Sequence, residues 1–123
     1  MGYRSDVRII TTMDGYEELK NFVDSYCKEK KCYNLLEAVD VDKKLTDTSD
    51  KLIGWDYVKW YDDIYDDVIA ITKGLAHISN LGYAYNFARI GEDFDDYETE
   101  EKFGLDGDCV PNIYITRSFD YSY

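Results

Sequence analysis

YDDIYDDVIAITKGLAHISNLGYAYNFARI, residues 61 to 90, changes its periodicity partway along. Ile64, Val68, Ile71, Leu75 and Ile78 step by four, three, four and three residues, which lines them along one face of a helix. From residue 83 onward, Tyr83, Tyr85, Phe87 and Arg89 alternate with Ala84, Asn86, Ala88 and Ile90, the period of a strand. Asp62 and Asp63 are placed to cap the helix, and Asp66 and Asp67 add negative charge to its first turns. Lys73 and His77 lie near its other end, which suits the helix dipole. Gly74 weakens the interior by roughly 1 kcal/mol relative to alanine, and is expected to permit close packing against a sheet.

Upstream, SDVRIITT at residues 5 to 12 reads as a strand rich in β-branched residues. Asp14 and Glu17 then have capping-box spacing. Tyr16, Leu19, Phe22, Val23, Tyr26 and Cys27 form the apolar stripe of a helix reaching about residue 29. LLEAVDVD, residues 35 to 42, fits a strand better than a helical turn leading into one. KKLTDTSD at 43 to 50 is a polar connector, and KLIGWDYVKWY at 51 to 61 is a strand suited to a packed sheet face. PNIYITRSF, residues 111 to 119, supplies a last strand after a long acidic connection.

This order predicts one acidic α+β domain over residues 1–123. Two helices pack on one face of a largely antiparallel sheet, in a ferredoxin-like β-α-β-β-α-β order with an extra C-terminal strand. Its 123 residues, 45% hydrophobic and 16% aromatic with a single proline, are enough to bury a core. Which face of residues 83 to 90 meets the helices is left open by the pattern.

Twenty-six acidic against fourteen basic residues give a formal charge of −12, a field that repels phosphate backbones and anionic lipid and attracts basic proteins. No direct nucleic-acid binding and no membrane association are therefore expected. No segment reaches 18 uninterrupted apolar residues and the N-terminus lacks a signal pattern, so the expected location is cytoplasmic. Cys27, Cys32 and Cys109 are too irregularly spaced for a disulfide framework or paired zinc ligands, and read as free thiols.

GEDFDDYETEEKFGLDGD, residues 91 to 108, holds nine carboxylates and one lysine. It lacks the ligand spacing of a calcium loop, and the single histidine, His77, offers no ligand pair for zinc. Phosphate-binding, dinucleotide and nucleophile-elbow motifs are absent. No metal, cofactor or catalytic residue is assigned.

Surface potential points to a binding role. Asp62, Asp63, Asp66 and Asp67 form one acidic group, while Glu92, Asp93, Asp95, Asp96 and Glu98 begin a second. Tyr65, Phe94 and Tyr97 are interleaved with them and supply the apolar anchors that an interface centre needs. If the two groups meet, they make one negative, aromatic surface able to occupy a basic groove. Arg89, just before the acidic stretch, is the best candidate to fix that connection.

MGYRSDV at the N-terminus, VKWYDDIYDDV at 58 to 68 and FARIGEDFDD at 87 to 96 resemble segments of small acidic proteins carried by bacteriophages and prophages, over most of the chain. Such proteins include inhibitors of host defence, among them anti-CRISPR and anti-restriction proteins that mimic nucleic acid. The resemblance implies a phage-encoded inhibitor acting in the host cell cytoplasm, its partner a basic host nuclease or DNA-binding defence protein. Two alternatives stand beside it. One is a small divalent-metal-dependent hydrolase or nucleotide-processing enzyme; the other is a structural or regulatory homodimer formed through an edge strand near residues 112 to 117.

Overall fold

The computed structural model describes residues 3–62, 64–93 and 95–115, together with the backbone of 119–121. Its elements are β1 (Ser5–Thr11), α1 (Met13–Lys30), a short 3-10 helix (Leu35–Ala38), β2 (Val41–Lys44), β3 (Lys51–Val58), α2 (Asp66–Asn80), β4 (Tyr85–Gly91), β5 (Tyr97–Lys102), a second 3-10 turn (Leu105–Gly107), β6 (Ile113–Ile115) and β7 (Phe119–Tyr121). The first five strands form one antiparallel sheet in the order β2-β3-β1-β4-β5. β6 and β7 pair separately as a two-stranded ribbon.

Strand alternation divides the core. Val7 and Ile9 of β1, Ile53 and Trp55 of β3, and Tyr85 and Phe87 of β4 face one way, against Leu19, Val23 and Cys27 of α1 and Val68, Ile71, Leu75 and Ile78 of α2. Each such aliphatic or aromatic side chain contributes about 1.5–3 kcal/mol when fully withdrawn from water. The large-aromatic face of β4 is thus the helix-facing one. Ile10, Leu52 and Ala84 on the opposite face are covered by Leu45 and Val110.

Several sequence expectations are corrected. The first helix is capped by Thr12, whose hydroxyl accepts from the Gly15 amide, and not by Asp14. Residues 35 to 38 form a 3-10 turn, capped by Asn34, ahead of a short strand at 41 to 44. α2 starts at Asp66, two residues beyond Ile64, where the apolar spacing began; Asp62 does not cap it, Ile64 is 66% exposed, and the N-cap position is Tyr65. Asp63 lies outside the described residues.

Gly74 permits close packing against α1 rather than the sheet: a Cβ there would lie 2.5 Å from Leu19 Cδ1. The strand that extends the sheet is β5, inside the acidic stretch, whereas the C-terminal segment enters the separate ribbon. β5 was hidden because all six of its residues, YETEEK, are exposed, so no buried face marks it in the sequence.

Candidate partner-binding surface

The register brings the acidic segments to one end of the sheet. Ser5, which begins β1, lies opposite Val58 at the end of β3 and opposite Gly91 at the end of β4. The link into α2 therefore leaves from the same end of the sheet as the β4–β5 connection.

Tyr3 ties the two together. Its backbone N–H donates to the Tyr61 hydroxyl at 2.7 Å, and its own hydroxyl donates to Asp96 Oδ2 at 2.5 Å while accepting from the Asp93 amide at 3.0 Å. The Asp93 amide alone would lower the Tyr3 pKa, but the hydrogen bond to Asp96 and the neighbouring carboxylates outweigh it, and the phenol is raised above its ordinary value.

Arg89 fixes the β4–β5 connection. Its Nη2 reaches Asp96 Oδ1 at 2.8 Å, its Nη1 reaches Asp96 Oδ2 at 3.3 Å, and its Nε reaches Glu98 Oε1 at 2.7 Å. Nη1 also donates to Ser5 Oγ at 2.9 Å, which anchors the assembly to β1. Burial alone would lower the guanidinium pKa, yet the bonds to Asp96 and Glu98 prevail and push it higher still.

The acidic side chains consequently divide by environment. Asp62, Asp66, Glu92, Asp93 and Asp95 are exposed, whereas Asp96 is half-buried among Tyr3 and Arg89. Asp67 is half-buried too, with its Oδ1 accepting from the Val68 amide at 2.9 Å. Glu98 is exposed and paired with Arg89. Tyr65 is exposed and meets Tyr61 edge-on at 5.2 Å between ring centroids, and Tyr97 is 59% exposed. Phe94, like Asp63, lies outside the described residues.

Two aromatic contributors escaped the sequence pattern. Tyr3 carries no signal beyond its proximity to the N-terminus. Tyr57 sits in an irregularity of β3, where the register against β1 shifts between Ser5 and Val7. Its φ of 57° is a left-handed value uncommon for an aromatic residue, and its amide donates to Asp6 Oδ1 at 2.8 Å. The bulge leaves the Tyr57 ring 66% exposed beside this end, with the Arg4 guanidinium 5.1 Å from its centroid.

Beside the acidic end, a groove of about 440 Å³ runs between α2 and β5. Leu75 and Ala76 of α2 and Tyr85 and Phe87 of β4 line it together with Asp62, Glu98 and Glu100. The Tyr85 hydroxyl donates to Glu100 Oε1, and burial followed by that bond raises the phenol pKa.

Among the described residues no three His, Cys, Asp or Glu side chains are gathered in an arrangement that could hold a metal ion, and no helix is long and apolar enough to cross a membrane. Cys27 is buried, and its thiol is pushed up to about 12 by burial and by its contact with Cys32. Comparison with protein-family models, with curated proteins and with solved structures finds no match to this chain.

Proposed function

We propose that this protein is a non-enzymatic binding protein whose acidic, tyrosine-bearing end covers a basic nucleic-acid-binding site on another protein. The observation that carries the proposal is the joint attachment of the two acidic segments to Tyr3, through the Tyr61 hydroxyl on one side and Asp93 and Asp96 on the other. Asp62, Asp66, Glu92, Asp93 and Asp95 then supply exposed charge on one end, and Tyr57, Tyr65 and Tyr97 supply exposed aromatic surface. Charge of this kind chiefly raises the rate of encounter and excludes wrong partners, while aromatic anchors lengthen the life of the complex.

The resemblance to small acidic phage proteins makes a phage-encoded inhibitor of a host defence nuclease or DNA-binding protein the specific form of the proposal, acting in the host cytoplasm. For the fold, we infer a ferredoxin-like plan for β1 through β4 with α1 and α2, to which β5 is added.

The test is affinity capture from nuclease-treated bacterial lysate at moderate salt. The unaltered chain is compared with a variant carrying Asp62→Asn, Glu92→Gln, Asp93→Asn and Asp95→Asn. Retention of a basic, nucleic-acid-binding protein by the first and its loss from the second is the expected result, and the captured protein should lose DNA or RNA binding when saturated. Identical captured sets for the two chains would overturn the proposal.

A further inference from the structure

The groove between α2 and β5 combines an apolar surface with carboxylates. Leu75, Ala76 and Phe87 give it an apolar lining, and Asp62, Glu98 and Glu100 stand along it with Lys102. Two of those carboxylates are already held in place. Tyr85 donates to Glu100 Oε1 and Arg89 Nε donates to Glu98 Oε1, so neither side chain must be ordered when a ligand arrives.

We propose that this groove receives a lysine or arginine side chain presented by the basic partner, with the aliphatic stem lying on Phe87, Leu75 and Ala76 and the charged head meeting Glu98, Glu100 and Asp62. The identity of the partner rests on the function proposed above; the chemistry of the groove does not.

Shape and charge both select this occupant. A long cationic side chain is the common protein group with an apolar stem of three or four methylenes and a terminal cation, and it buries the first while keeping the second solvated or paired. An apolar ligand would displace water from Asp62, Glu98 and Glu100 and return no hydrogen bond to their remaining acceptor positions, and an anion would be repelled. Asp62, Asp96, Glu98 and Glu100 set against Arg89 and Lys102 leave two negative charges around the groove, even after the Arg89 pairs are formed. Ala76 and Ser79 are the small residues of α2 that leave the space open. Arginine is also, with Trp and Tyr, one of the residue types enriched where binding energy concentrates at an interface.

The probe is arginine blocked as its N-acetyl N-methylamide, titrated into the isotope-labelled full chain and followed by NMR at 150 mM salt. Citrulline blocked in the same way, nearly identical in shape and uncharged, is the control. Saturable shifts at Thr72, Ala76 and Thr99 with the arginine compound, absent with citrulline, are the expected result. Ala76→Trp fills the groove from an exposed helix position without changing charge, and should abolish those shifts while leaving resonances elsewhere in place. Equal responses to both compounds, or shifts confined to residues 92 to 95, would overturn the proposal.

Partner capture then separates the two proposals. If Ala76→Trp weakens retention at least tenfold while Glu92→Gln/Asp93→Asn/Asp95→Asn does not, the groove stands and the acidic end falls. If only the triple variant loses the partner, the reverse holds. Retention unchanged in both variants overturns both.

Discussion

Arg89 of β4 and Asp96 at the threshold of β5 form a two-point ion pair, 2.8 Å from Nη2 to Oδ1 and 3.3 Å from Nη1 to Oδ2, that closes the connection between the two strands. Because the same guanidinium also holds Glu98 and Ser5, β5 is attached to the sheet by more than its backbone ladder. Replacing Arg89 by Met keeps much of the stem and removes every one of these bonds. The half-buried Asp96 would then lose its cation, and the expected loss is about 2 kcal/mol, in line with leaving a partly buried charged acceptor short of donors. Urea unfolding of the variant checks this, with β5 amides expected to exchange sooner than those of β1. A change within 0.5 kcal/mol would mean that the pair is ornamental and that water replaces it.

That dependence on side chains explains what could be read in the sequence. The helices were legible from Leu19, Val23, Val68, Ile71, Leu75 and Ile78, because a buried stripe repeats with the helix period. The central strands were legible for a similar reason. β5 was not, since an edge strand exposed on both faces has no apolar alternation, and its pairing is imposed by β4 and by Arg89. Helix starts were misplaced where several acidic or hydroxyl residues competed for the cap, as with Thr12 and Asp14. The carboxylates themselves were evident from composition. Their gathering at one end was not, because it depends on the β1 register and on Tyr3, neither of which has a local signature.

Tyr85 gives the molecule an alkaline limb. Burial and the bond to Glu100 raise its folded-state pKa above the ordinary 10.0, so the unfolded chain loses the proton first. The stabilising contribution is complete below pH 10 and declines as pH rises through the folded-state value. Tyr85→Phe should therefore show a shallower fall in stability between pH 10 and pH 11 than the unaltered chain, measured by chemical denaturation at each pH. Equal slopes would show that Tyr85 does not retain its proton in the folded protein.

Thiol chemistry should separate the three cysteines. Cys27 is buried and its pKa is pushed up to about 12, so little thiolate exists at pH 8, whereas Cys109 is exposed. Iodoacetamide at pH 8 followed by peptide mass spectrometry should label Cys109 at least tenfold faster than Cys27. Comparable rates would indicate that the end of α1 opens readily, or that Cys27 is more acidic than its surroundings imply.

The contact between the helices makes the sharpest case, because two effects of known sign oppose each other at Gly74. Alanine there gains up to roughly 1 kcal/mol in helix propensity. The new methyl carbon, however, would stand 2.5 Å from Leu19 Cδ1 and 3.3 Å from Phe22 Cδ1, inside van der Waals contact with a fully buried side chain. Leu19 has to leave its rotamer or α1 has to move away, and forcing a methyl into a packed core costs about 1–3 kcal/mol. The expected net result of Gly74→Ala is destabilisation by about 1 kcal/mol in urea unfolding, with most of it recovered in Gly74→Ala/Leu19→Val, where the clashing reach is shortened. Stabilisation by the single change would place α1 and α2 farther apart than this structure has them.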